Sequence, residues 1–197
     1  GQWRIEDRYP PDEMDTISLD LGGAMMNVAG TTTILPNGNF GPIYESEPFD
    51  EPIWISGLPR LHVDVSTATV GGQIYALLED CSEAGDCIHI GHAIMDLRYH
   101  EGGTQEQTWI PVFQTINAKM EFFAMDAQIE AGHYLRLSLA STGEDYLPAS
   151  TSSIVQISEG SSSNLILDTI QEGDKLLFDP PICNHPYCQD WLNQTVE

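Results

Sequence analysis

Basic residues are what this chain has least of. Seven lysines and arginines stand against thirty aspartates and glutamates, a formal net charge of −23 over 197 residues. Such a surface repels the phosphates of nucleic acid and anionic lipid, so DNA and RNA are excluded as partners. Long apolar runs are missing as well. None approaches the ~20 residues of a membrane-spanning helix, and the amino terminus lacks the basic-then-apolar order of a signal peptide. Beginning at Gly1 rather than Met, the chain reads as a processed or excised piece. The familiar catalytic signatures are absent too: there is no G-x-S-x-G elbow, no phosphate-binding glycine loop, no G-x-G-x-x-G fingerprint and no H-E-x-x-H zinc motif. Catalysis by this chain alone is therefore not expected.

What is present reads as strand. In "RLHVDVST" the apolar Leu61, Val63 and Val65 alternate with Arg60, His62 and Asp64, the pattern of a half-buried strand. "GQIYALLED" and "CIHIGHAIMDLRYH" continue it, and "AKMEFFAMDAQI", "HYLRLSLAST", "SSIVQIS" and "SNLILDTI" follow between Gly, Ser, Asn and Asp clusters. With no long amphipathic helix in competition, the expectation is an all-β sandwich of the jelly-roll kind. Residues 1–30 read as an entry segment wrapping the sandwich, 31–174 as the sandwich and 175–197 as a carboxy-terminal extension pinned by its own disulfide.

The four cysteines fall in two local pairs, Cys81 with Cys87 and Cys183 with Cys188. Two disulfides in an extracellular or cell-surface setting are expected; zinc is the rival, but C-x5-C and C-x4-C do not match common structural zinc knuckles. Asn193 in "NQT" fits the N-glycosylation pattern. Glu79, Asp80, Glu83 and Asp86 surround the first cysteine pair, either as calcium ligands or as a solvated hairpin tip, although the order of an EF-hand is lacking. No cofactor is otherwise required. His89 and His92 are three apart, which on a regular strand puts them on opposite faces and prevents chelation unless a bulge intervenes. His133, after Gly132, reads as a structural hydrogen-bonding residue rather than a general base. Trp54, Trp109, Tyr146 and Trp191 either form a sugar-stacking platform or fill the core.

Taken in order, several segments resemble the carboxy-terminal domain of the X-prolyl dipeptidyl-peptidase and cocaine-esterase family of serine hydrolases. They are "QWRIEDRYPP", "LPNGNF", "SEPFDEPIWISGLPRLHVDVST" with Gly57 and Pro59, "IYALLED", "IGHAIMDLRY" and "IEAGHYLRLSLAST". The last is the most specific, through Gly132, His133, Leu135, Arg136, Leu137 and Ser138. The resemblance runs over roughly residues 1 to 170. It implies a galactose-binding-like jelly roll without a catalytic triad, packed on a catalytic α/β-hydrolase domain and framing its active site or mediating oligomer contacts. Two other functions fit the same fold. One is a stand-alone module that binds carbohydrate or a cell surface. The other is a self-assembling extracellular filament subunit, partnered by copies of itself through strand addition by residues 171–197.

Overall fold

The computed structural model describes residues 3–4, 8–12, 14–36, 38, 41–101, 107–143, 146–149, 151, 153–170 and 177–178. Apart from one turn of 3-10 helix at Leu97–Tyr99, every regular element in it is a strand. A short pair, β1 (Trp3–Arg4) with β15 (Leu177–Phe178), stands apart from the main sheet.

The remaining strands form two layers. At the centre of the first lies a bent strand, β6 (Ile53–Gly57) followed by β7 (Arg60–Thr67). On one side β11 (Met125–Ile129) pairs with β6 and β10 (Ile116–Glu121) with β7. On the other side run β14 (Gly160–Ile170) and β13 (Val155–Ser158), with β2 (Asp15–Leu21) beyond β14 and β4 (Thr33–Ile34) beyond β13. The second layer has the order β3 (Met25–Asn27), β5 (Ile43–Ser46), β12 (Tyr134–Ala140), β8 (Gln73–Cys81), β9 (Cys87–Asp96). A single parallel bridge, Leu21 to Met25, joins the layers.

Alternation explains why the layers face each other. Along β7 and β8 every second residue is buried, and Leu61, Val63 and Val65 meet Ile74, Ala76, Leu78, Leu135 and Leu137 in one apolar cluster. The architecture is the all-β jelly-roll sandwich that the alternation implied. The entry segment does more than wrap it: β2 pairs with β14, and Leu21 and Met25 are fully buried.

The bend between β6 and β7 comes from "GLP". Gly57 has φ +124°, a conformation that side chains resist, and Pro59 has no N–H to give to a ladder. Tyr9 holds the bend from outside. Its hydroxyl receives the Gly57 N–H at 3.1 Å and lies 2.9 and 2.8 Å from the carbonyls of Gly57 and Met125. Replacing Tyr9 with Phe, which keeps the ring and loses these bonds, should cost about 1–2 kcal/mol in urea unfolding. A loss below about 0.3 kcal/mol would mean that the strap contributes nothing to the bend.

Candidate partner surface

At the end of the sandwich where β7 finishes, four connections meet. Buried Leu97 and Ile110 anchor the first, and Thr108 N donates to Arg98 O at 2.7 Å. Asp96 fixes its start by accepting from Arg98 N and Nε, each at 3.0 Å. Burial pushes the Asp96 carboxyl up, but these bonds and the Arg98 charge win and hold it below its ordinary range. With Ile110 turned inward, Trp109 and Phe113 are left in water, 64% and 78% exposed.

The backbone at Phe113 is itself unusual. Gln114 N donates to Pro111 O at 3.1 Å, closing a turn whose third residue, Phe113, has φ +61°. Gly or Asn is the residue suited to that position. Phe113 N donates to Thr67 O at 2.9 Å, tying the turn to β7. A large apolar side chain is thus held outward on a backbone that disfavours it, a combination that points to a role outside folding.

The other connections join at the same place. Ala68 N donates to Ile154 O, and Gln73 Nε2 donates to the carbonyls of Ser141 and Leu147. Gly38 N donates to Ser141 Oγ, which brings in the segment after β4. Leu147 is 87% exposed, and Leu35, Val70 and Ile154 are exposed beside these anchors. No Asp, Glu, Lys or Arg occurs in residues 31–44, 66–78, 107–118 or 146–158. In a chain of net charge −23, these stretches are uncharged and rich in apolar residues, while Asp96, Arg98, Glu101 and Glu106 lie in or beside the first connection and Glu144 and Asp145 in the one before Ile154. Exposed apolar groups gathered together are a common feature of surfaces that bind other macromolecules.

The residues singled out in the sequence have different fates. Trp109 belongs to this end, but Trp54 is half-buried at the opposite end of the bent strand, about 40 Å of extended chain from Thr67. Tyr146 instead packs against His92 and Tyr75. The three therefore form no common stacking platform. Cys81 and Cys87 are bonded and close the β8–β9 hairpin, whose tip carries exposed Glu83 and Asp86. Glu79 and Asp80 point to opposite faces of β8, so the acidic quartet does not converge. Asp80 turns inward and accepts from His133 Nδ1 at 2.8 Å. Among the described residues, no group of three or more His, Cys, Asp or Glu side chains is placed to hold a metal ion.

His133 thus has a structural bond, and its neighbour Gly132 donates to Phe49 O while Phe49 N donates to His133 O. Arg136 pairs with Glu45 at 2.8 Å and lies 3.2 Å from the Tyr134 hydroxyl. Cys183, Cys188, Trp191 and Asn193 lie outside the described residues, as does most of the 175–197 extension.

One expectation is corrected. His89 and His92 share a face, because the β8–β9 register shifts between Leu78 opposite Gly91 and Glu79 opposite His89, leaving Ile90 as an extra residue. The apolar loop end had a weaker sequence signal, four large apolar side chains in "WIPVF", and a proline-containing connector hid it.

Comparison with known proteins agrees with this architecture. No curated protein matches the chain by sequence. Among solved structures, a CocE/NonD family hydrolase from Staphylococcus aureus superposes with a TM-score of 0.67 at 10% identity, over 84% of this chain and 38% of that one. An aminopeptidase from the marine sediment archaeon Thaumarchaeota archaeon gives 0.58 at 9% identity, over 87% and 37%. An alpha-amino acid ester hydrolase gives 0.57 at 13%, over 84% and 34%. The chain therefore spans little more than a third of the length of these enzymes. Such low identities establish the shared fold, and the family model goes further: it covers residues 2–171, and the chain belongs to the family of X-Pro dipeptidyl-peptidase C-terminal non-catalytic domains.

Proposed function

We propose that this chain is the accessory domain of a serine hydrolase and that the loop end carrying Trp109 and Phe113 docks on the catalytic α/β-hydrolase domain, where it frames the active-site cleft. The observation that carries the reading is Phe113, held outward in a left-handed conformation within an uncharged stretch that also exposes Trp109 and Val112. A non-catalytic family and structural relatives more than twice as long as this chain supply the kind of partner. The Cys81–Cys87 disulfide supports an extracellular or cell-surface setting, since such bonds persist in oxidising compartments.

Native isolation from the source, followed by labelling with a serine-directed fluorophosphonate probe, tests the reading. A probe-reactive hydrolase in one-to-one ratio with this domain, in the same polypeptide or a separate one, is the expected result. A homopolymer or a lone monomer without a probe-reactive partner overturns it. A sugar-binding role has less support, since Trp54, Trp109 and Tyr146 are dispersed.

A further inference from the structure

We propose that His89 and His92 form a surface binding site for a borderline divalent transition metal of the zinc class. The bulge at Ile90 is the structural cause. Gly91 and Ala93 face the core while His92 faces out, and the extra residue turns His89 to the same outer face. Gly91 fits its inward position because it has no side chain: a Cβ there would lie 2.1 Å from Met125 Cε. The bulge and the glycine together set the pair.

The geometry matches what a metal requires. His92 Nδ1 lies 3.2 Å from His89 Nε2. Two nitrogens bound tetrahedrally to one zinc ion, each at about 2.0–2.1 Å, stand about 3.3 Å apart. The observed separation therefore admits an ion with a small outward shift of the rings. His92 Nε2 lies 2.8 Å from the Tyr146 hydroxyl. With the proton on Nε2 and donated to that oxygen, the Nδ1 lone pair faces the metal position, the outer-shell arrangement that orients metal-bound histidines. Tyr75 and Phe123 pack against the His92 ring and limit its rotation.

Ligand chemistry selects the ion. Paired imidazoles suit zinc, copper and nickel, whereas calcium and magnesium take oxygen ligands. Two protein nitrogens leave the remaining coordination positions to water. The Glu79 carboxylate lies opposite His89 on the same face of the sheet and adds a favourable field.

Calorimetric titration of the untagged full chain with zinc chloride, in excess calcium chloride to occupy the acidic surface, tests the proposal. One zinc per chain is expected at sub-millimolar concentration. His89→Ala and His92→Ala should each weaken binding by about tenfold or more, and Tyr146→Phe by less. His89 is exposed, so its variant should melt with the parent and separates lost binding from lost folding. No zinc uptake, or uptake unchanged in the H89A/H92A double variant, would overturn the site.

Discussion

Replacing His133 with Ala should lower the thermal midpoint by about 5–10 °C, corresponding to about 2–3 kcal/mol for a chain of this size. The reason lies in Asp80. Its side chain is 6% exposed, and the bond from His133 Nδ1 at 2.8 Å helps offset the cost of burying a carboxylate. Without the imidazole, the nearly buried carboxylate loses a hydrogen-bond donor where little water reaches it. The cost therefore exceeds that of a surface pair. His133→Asn, which retains an N–H donor on a shorter side chain, should recover part of the loss. The double variant with Asp80→Asn should be less destabilised than the sum of D80N and H133A, by about 1–2 kcal/mol. If H133A melts with the parent, or the two changes simply add, the bond is incidental and the Gly132–His133 motif needs another explanation.

Much of the sandwich was legible because burial on one face imposes a period of two. That rule identified β7, β8 and β12 from Leu61, Val63 and Val65 and their counterparts, and the order of motifs pointed to the family. The same rule failed at His89 and His92, where a single extra residue inverts the alternation and no composition signal reports it. Asp80 was legible only as one of four nearby acids. Its partner is 53 residues away, and the pairing of β12 with β8 brings them together. The placement of the aromatics was hidden for a similar reason: Trp54 and Trp109 have similar chemistry, but the topology puts them at different places along the bent strand. The apolar loop end is the reverse case, assembled from four stretches that each look like an ordinary connector.

That assembled end leads to the second large effect. Phe113→Asn should leave stability within about 0.5 kcal/mol of the parent or raise it slightly, because Asn tolerates the left-handed backbone that Phe resists. The Phe113 N to Thr67 O bond is a main-chain bond and survives the change. Trp109→Ser should be equally mild, since the side chain is 64% exposed. Binding to the catalytic partner should respond very differently. Buried aromatic anchors at interfaces each contribute about 2 kcal/mol or more, so each change should weaken association about thirtyfold and the pair about a thousandfold if their effects add. The association should also depend less on ionic strength than one made through the acidic faces, because screening acts on charges and the stretch 107–118 around Trp109 and Phe113 carries none. A strong salt dependence would move the contact to the acidic faces. Variants that fold normally and still bind the hydrolase at parental affinity would leave the exposed Phe113 without a role in docking and exclude this end as the interface.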